Sequence, residues 1–403
     1  RFRTDAALAA VYYGGEFAID VHRIFRDFDA DENDPASYSF GSTDTAVKNA
    51  EDAGTHVFYR LGSNIEHGEK RGTYPPKDFL KWAKVCEHII RHYTEGWADG
   101  FRYDMQYWEI WNEPDCQNAD GSNPCWQGTF PRFAEFLDVS ARYLKKAFPR
   151  LYIGGPAMAW MKSDGAKAIL PEMQKRQTPL DFFSYHCYCR TPEQFAEQIA
   201  LADELLAAYG YGDIPHIINE CNYICGWTGD GWRLSLKREK SLFGASFWAS
   251  LMSVAHTRNL SMLMYYDARP CGMNGIFDTD TLVPLSTYYT FLAYRQLRRL
   301  GKYVPTLQDF ENGVYSCAAT DGEKGSVMFT RFAESDEEAE ETVLRLSLQS
   351  DFALPYLVRV YVTDKDNAAA LWKEEVISSP DAALYIKAPL HTVFSLETEP
   401  IKE

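Results

Sequence analysis

Two glutamates, each directly preceded by asparagine, end apolar runs in this chain of 403 residues. Glu113 lies in the segment YWEIWNEPD, and Glu220 lies in the segment IPHIINECNY. An ionised, unpaired glutamate inside an apolar strand would be strongly unfavourable. Pro114 also stops the first run at once, because proline cannot donate a hydrogen bond to a sheet. We therefore predict that each glutamate lies at a strand end that opens on a cleft.

The spacing of the two glutamates predicts that they face each other. They are 107 residues apart, and one strand–helix unit of a (β/α)8 barrel takes roughly 30–40 residues. If Glu113 follows the fourth strand, Glu220 follows the seventh, and both strand ends open on the same face of the barrel. Two carboxyl groups in one cleft are the apparatus of glycoside hydrolysis, in which one protonates the leaving oxygen and the other attacks or activates water.

Polar and aromatic neighbours support this interpretation. Asn112, next to Glu113, is a neutral donor suited to a sugar hydroxyl. His186 and Tyr188, in the segment SYHCY, can each hydrogen-bond a carboxylate and hold it ionised. Tryptophans stack well on sugar rings, and those available near the predicted strand ends are Trp108, Trp111, Trp126, Trp227, Trp232 and Trp248. A lone core histidine or strand-end glutamate would indicate only a structural contact, so the combination carries the prediction.

The elements that must position these residues alternate regularly. Residues 40–290 alternate short apolar runs with longer segments of helical periodicity, and six strands are evident between Thr55 and Asp267. Such alternation indicates parallel βα units, here a (β/α)8 TIM barrel in the α/β class. The N-terminal strands are the exception, since RFRTDAALAAVYYGG and FAIDVHRIF are the only candidates. The sequence leaves open how that part of the barrel is completed.

The pattern changes after about residue 300. Six segments there alternate apolar and polar residues and are separated by turns that contain glycine, aspartate or proline. Strands without long intervening helices are typical of an antiparallel β-sandwich. We therefore predict a catalytic barrel over residues 1–295 and a C-terminal β-sandwich over residues 296–403.

Composition excludes several classes of partner. The net charge of −16 argues against nucleic acid and anionic membrane surfaces. The sequence also lacks a run of 18 apolar residues, so a membrane-spanning helix is not expected. Oligomeric state is not readable from the sequence. The compartment stays open, with a secreted or periplasmic location favoured over a cytoplasmic one.

The nine cysteines are irregularly spaced. Cys116 and Cys125 bracket a polar loop and could be bridged in an exported protein. A second group does not match a common zinc spacing and is better explained as small buried thiols; it consists of Cys187, Cys189, Cys221 and Cys225, with His186. We therefore expect neither a metal nor a cofactor.

The segment WEIWNEPD resembles the acid/base motif of clan A glycoside hydrolases and is most similar to glycoside hydrolase family 39, which includes β-xylosidases and α-L-iduronidases. DFFSYHCY is similar to the sixth-strand His-x-Tyr segment of that family, and IINECNY to its seventh-strand nucleophile segment. The resemblance spans about residues 20–290. It implies a barrel followed by a β-sandwich.

The resemblance also implies roles for individual residues. It casts Glu113 as the acid/base, Glu220 as the nucleophile and Asn112 as a contact of the sugar 2-hydroxyl. His186 and Tyr188 would bind the sugar in the deepest subsite or the nucleophile itself. Further expected substrate contacts are Arg60, His67, Trp111, Tyr266 and Asp267.

Together these observations predict a retaining glycoside hydrolase that acts on a plant or microbial oligo- or polysaccharide by double displacement, with β-xylosidase-like exo-action. One alternative is a different specificity of the same family: β-glucosidase, α-L-iduronidase-like, arabinose-releasing or endo-acting. Another is a glycan-binding relative that has lost its chemistry. A metal-dependent barrel enzyme is disfavoured, because the sequence offers no His-x-His or similar ligand set.

Overall fold

The computed structural model describes residues 20–62, 72–269, 271–335, 342–347, 355–379 and 382–401. Within these ranges the chain forms a helix-covered parallel sheet, a TIM-barrel-like domain, followed by antiparallel sheets that form a β-sandwich. The predicted fold class is therefore confirmed. Among the described helices, none is both long and apolar enough to span a bilayer.

Six parallel strands lie side by side in chain order, which confirms the six predicted strands. They are β1 (Phe58–Leu61), β2 (Tyr107–Ile110), β3 (Tyr152–Met158), β4 (Phe182–Cys189), β5 (His216–Tyr223) and β6 (Met262–Tyr265). The helices are α1 (Val21–Ile24), α2 (Gly41–Asp52), α3 (Phe79–Thr94), α4 (Phe130–Ala147), α5 (Asp164–Arg176), α6 (Pro192–Ala208), α7 (Gly229–Glu239), α8 (Leu242–Ala255) and α9 (Ser286–Leu300). Short 3-10 helices cover Pro35–Ser37 and Trp97–Asp99.

Local sequence explains where the long helices begin. The side chains of Asp78, Thr129 and Thr191 cap α3, α4 and α6 by accepting a backbone N–H from the first turn. Pro131 and Pro192 follow two of these caps, at positions where the missing N–H is not needed. These caps fix the helix starts, and each helix then returns the chain to the next strand of the sheet.

The sandwich contains eight strands in the described residues, two more than predicted. They are β7 (Lys302–Val304), β8 (Val314–Thr320), β9 (Gly325–Arg331), β10 (Thr342–Ser347), β11 (Tyr356–Thr363), β12 (Ala370–Ile377), β13 (Ala383–Ala388) and β14 (Val393–Pro400). One sheet has the order β12-β11-β14-β9-β8-β7, and the other pairs β10 with β13. The prediction missed β7, which is only three residues long, and β12, an edge strand rich in charge, as edge strands often are.

The two domains meet along α8, which is buried on all sides. A helix that is apolar all round belongs in a protein interior. Ser246 on this helix hydrogen-bonds Thr330 Oγ1 at 2.9 Å and donates to the carbonyl of Arg331 at 3.0 Å. Helix α9 packs beside α8 and runs over residues 286–300, across the predicted boundary at residue 295, which stays a prediction.

Candidate active site

Glu113 lies directly after β2 on a backbone of unusual conformation. Trp111 and Glu113 have φ values of 75° and 47°, in the left-handed region that non-glycine residues avoid at a cost of roughly 1–3 kcal/mol. Backbone hydrogen bonds to residues at the ends of neighbouring strands hold this conformation. Trp111 N–H donates to the carbonyl of Leu61 at 2.7 Å, and Glu113 N–H donates to that of Ala157 at 2.9 Å. The Glu113 side chain stays 24% exposed, as expected at the mouth of the sheet.

Glu220 lies inside β5 rather than at its end, which corrects the predicted strand boundary. The strand continues to Tyr223 because Cys221, Asn222 and Tyr223 keep pairing with β4 after a register shift. The Glu220 side chain is only 7% exposed. Its Oε1 accepts from Arg60 Nη1 at 3.2 Å, and its Oε2 accepts from the Tyr188 hydroxyl at 2.9 Å.

His186 connects the two carboxylates. Its Nδ1 lies 2.9 Å from Glu113 Oε1 and 3.4 Å from Glu220 Oε2. One nitrogen of the ring and one oxygen from each carboxylate all lie within 4.8 Å of one another. Burial favours the neutral ring, but the charge of Glu220 and the hydrogen bond and charge of Glu113 outweigh it and raise the pKa of His186. A positive charge on His186 is therefore stabilised by the two neighbouring carboxylates.

A further buried carboxylate, Glu109, binds the same arginine as Glu220. It is paired across the sheet with Arg60, whose Nε donates to Glu109 Oε2 at 2.7 Å. Its other oxygen accepts from the Ser184 hydroxyl and from Asn219 Nδ2, the latter at 2.6 Å. Sequence analysis missed this residue. The sequence signal for Glu109 was a charged residue in the middle of a strand, because a buried charge must be paired.

Two buried polar side-chain atoms of residues near the carboxylates have no hydrogen-bond partner among the described residues. They are Asn112 Oδ1 and His186 Nε2. Leaving such a buried atom unpaired costs about 1–3 kcal/mol. His186 Nε2 lies on the ring edge opposite Nδ1, the nitrogen that contacts Glu113 and Glu220.

The remaining predicted contacts fall in different places. Arg60 is buried beneath Glu220 as an ion-pair partner, and Trp111 is a core residue whose indole N–H donates to the carbonyl of Cys125. Tyr266 is buried 6.2 Å from the ring of Tyr188. The Asp267 carboxylate accepts from Arg269 at 2.7 Å. His67 lies outside the described residues.

Most of the candidate tryptophans belong to the core. Trp108, Trp111, Trp126 and Trp248 are among the largest fully buried side chains. Trp227 is different, because it is 54% exposed and its ring lies 4.9 Å from that of Tyr188, the partner of Glu220.

Trp227 also stacks on Trp232 at 6.0 Å. Trp160, equally exposed just after β3, was not predicted. Exposed rings beside a cleft are suited to contact a sugar face.

Three members of the second cysteine group are buried, whereas Cys225 is half-buried. Cys187, Cys189 and Cys221 lie inside β4 and β5. The clusters of metal-ligand atoms found among the described residues do not include them, and their burial agrees with the explanation as small core side chains.

Comparisons with known proteins agree with the geometry. The sequence profile of "Glycosyl hydrolases family 39" matches residues 13–220, about half of the chain. A β-xylosidase from Geobacillus stearothermophilus is 25% identical over 174 residues, which is 38% of this chain and 33% of that protein. This chain therefore aligns with only about a third of that relative.

Solved structures resemble the whole fold. A glucosidase from Croceicoccus marinus matches with a TM-score of 0.75 and 21% identity, over 94% of this chain and 86% of that one. A monomeric β-xylosidase from Caulobacter crescentus matches with a TM-score of 0.69 and 15% identity, over 91% and 85% of the two chains. At such identities the likeness concerns the fold alone.

Proposed function

Because the chain belongs to glycosyl hydrolases family 39, we propose that it cleaves glycosidic bonds with retention of configuration, by double displacement. The observation that carries this proposal is the distance between the two carboxylates. An oxygen of Glu113 and an oxygen of Glu220 lie within 4.8 Å of each other. Retaining enzymes separate their carboxyl groups by roughly 5–5.5 Å, whereas inverting enzymes leave roughly 6.5–9.5 Å for a water molecule.

Glu220 is the proposed nucleophile. It must be ionised to attack the anomeric carbon, and its surroundings stabilise the charge: a guanidinium nitrogen of Arg60 on one oxygen and the hydroxyl of Tyr188 on the other. Its position inside strand β5 and its burial hold the carboxylate in place. Such fixed positioning favours attack from one direction.

Glu113 is the proposed acid and base. It is the more exposed of the pair, and two adjacent carboxylates share a site most easily with one proton between them. Protonated Glu113 donates to the leaving oxygen while Glu220 forms the glycosyl ester. Once Glu220 is esterified its negative charge is gone, so Glu113 can take a proton from the water that hydrolyses the ester.

Asn112 and His186 are the proposed contacts of the sugar in the deepest subsite, since Asn112 directly precedes Glu113 and the ring of His186 contacts both carboxylates. For the sugar itself we propose xylose, released from a chain end. Support comes from the β-xylosidase that matches part of this sequence. A glucoside is the second candidate, because a structure that covers most of the chain is that of a glucosidase. A panel of aryl glycosides decides between the two.

The stereochemical test is direct. The anomer of the first sugar released from an aryl β-glycoside is followed by proton NMR before mutarotation. We expect the β-anomer to form first. Initial release of the α-anomer would mean inversion and would refute double displacement at these two residues.

A further inference from the structure

A second group of ligand atoms touches the other side of Glu113. One carboxylate oxygen of Glu113 and the sulfur atoms of Cys116 and Cys125 all lie within 4.8 Å of one another. The Cys125 sulfur is 3.9 Å from Glu113 Oε2, the oxygen opposite the one held by His186. Both cysteines are thiols in the structure. Two thiols therefore converge on the carboxylate of the proposed acid.

Backbone contacts hold the two thiols beside Glu113. Cys116 follows in a tight turn, in which its N–H donates to the carbonyl of Glu113 at 3.1 Å. Cys125 donates its N–H to Asn123 Oδ1 at 3.0 Å, and its carbonyl accepts from the Trp111 indole at 2.9 Å. The cluster is thus built into the same loop that positions the acid.

We propose that Cys116, Cys125 and Glu113 bind a thiophilic divalent cation such as Zn²⁺ or Cd²⁺, and that this binding switches the enzyme off. Soft thiolates select such ions. A tetrahedral site with bonds of 2.0–2.3 Å has edges of about 3.3–3.8 Å, so atoms that lie within 4.8 Å of one another need to approach by at most about 1.5 Å. The two thiols release their protons to solvent as the sulfur–metal bonds form, and water takes the fourth position.

The effect on turnover rests on the proposed role of Glu113, whereas binding of the cation does not. A carboxylate bound to a metal ion cannot hold the proton that the leaving oxygen needs. The sugar contacts Asn112 and His186 lie outside the thiol cluster. The cation should therefore lower kcat and leave KM nearly unchanged.

The experiment titrates fully reduced, metal-free enzyme with Cd²⁺ and follows the ultraviolet thiolate-to-cadmium charge-transfer band, with hydrolysis of an aryl glycoside measured on the same samples. The variants are Cys116→Ser and Cys125→Ser, each with its fold checked by circular dichroism. The matched control is Cys225→Ser, since Cys225 is half-buried like Cys116 and serine can keep its hydrogen bond to the carbonyl of Gly231.

We expect inhibition of the wild type and of Cys225→Ser, with reversal by a chelator. In the two other variants the cadmium affinity and the sensitivity to inhibition should each fall at least tenfold. A band that persists in Cys116→Ser and Cys125→Ser would overturn the site. Unchanged inhibition in these variants would assign the effect to the Glu113, His186 and Glu220 group and overturn the proposal as well.

Failure of the proposed function would look different. If Glu113 were not the acid, Glu113→Gln would keep full activity on substrates with poor leaving groups. The charge-transfer band of the wild type would still appear, because binding of cadmium by the two thiolates does not depend on the catalytic role of Glu113. Cadmium binding without loss of activity would overturn the claim that the site switches the enzyme off.

Discussion

The two proposed catalytic carboxylates are the same residue type, both preceded by asparagine, yet their surroundings differ. Glu220 lies inside strand β5, is 7% exposed and accepts from Arg60 and Tyr188. Glu113 lies on left-handed backbone, is 24% exposed and is bordered by His186 and by thiols. The comparison teaches that the proposed nucleophile is held by fixed donors. An acid that must gain and lose a proton is left nearer to solvent.

The largest expected effect on activity comes from removing the carboxylate of Glu220. Glu220→Ala should lower kcat on an aryl glycoside by roughly 10⁴-fold or more, because a covalent nucleophile has no substitute. The control is Glu197→Ala, an exposed glutamate on α6. Near-full activity of Glu220→Ala in steady-state assays would show that the nucleophile has been assigned wrongly.

Removing the solvent-facing carboxylate should give a loss that depends on the substrate. Glu113→Ala should cost roughly 10²–10⁴-fold on substrates with poor leaving groups, where proton donation is needed. Substrates with a good leaving group should lose much less in the glycosylation step, which is measured from pre-steady-state release of the phenol. Equal losses over a series of phenols would contradict the role as acid.

The third prediction tests whether the Glu220 side is stabilised by buried charge. Arg60→Met leaves Glu109 and Glu220 without their cation, and breaking a buried pair costs about 3–5 kcal/mol. The free energy of unfolding is measured by urea titration. Arg359→Met, at an ion pair with partly exposed side chains in the sandwich, is the control and should cost about 1 kcal/mol or less. Similar losses of unfolding free energy in the two variants would show that the buried ion pairs of Arg60 matter no more for stability than the exposed pair in the sandwich.

His186 links the two sides and should make stability depend on pH. Its pKa is raised in the folded protein from 6.5, so its contribution is complete below that value and is lost as the pH rises through the folded pKa. The wild type should therefore exceed His186→Asn in unfolding free energy most at about pH 5.5, and the difference should shrink towards about pH 8.5.

The control for this pH series is His256→Gln. Burial lowers the pKa of His256 to about 4, so the ring is neutral over the whole range. In the unfolded chain this ring still titrates near 6.5, so the wild type should gain unfolding free energy relative to His256→Gln as the pH rises, the opposite trend to that expected for His186→Asn. A difference for His186→Asn that stays constant or grows with pH would contradict the raised pKa of His186.

The smallest effect on activity is expected from Trp227, an exposed ring beside Tyr188. Trp227→Ala should raise KM for oligosaccharides roughly fivefold, the equivalent of about 1 kcal/mol of stacking, while kcat stays nearly constant. Trp372→Ala on β12 is the matched control, because Trp372 is similarly exposed in the other domain. Equal KM values for the two variants would exclude Trp227 from the cleft.

Local patterns explain why most of the barrel was predictable. The alternation of apolar runs with helical segments located six strands. The spacing of Glu113 and Glu220 predicted that they meet at one face, and the structure brings them together. His186 was found for the same reason, since it lies near the end of a predicted strand.

What could not be predicted depends on pairing across the chain. Glu109 is satisfied by Arg60, which is 49 residues away, and a single sequence does not show that contact. Aromatic residue type alone does not separate a core ring such as Trp111 from a cleft ring such as Trp227. The continuation of β5 past Glu220 depends on a register shift against β4, which is set by packing rather than by local sequence.

The most direct measurement is covalent trapping of the nucleophile. Enzyme is incubated with the 2-deoxy-2-fluoro derivative of its best aryl glycoside, digested, and the labelled peptide sequenced by mass spectrometry. A retaining mechanism with this assignment predicts one sugar per chain, attached to Glu220. Turnover of the parent substrate without any adduct, or an adduct on Glu113 or Glu109, would contradict it.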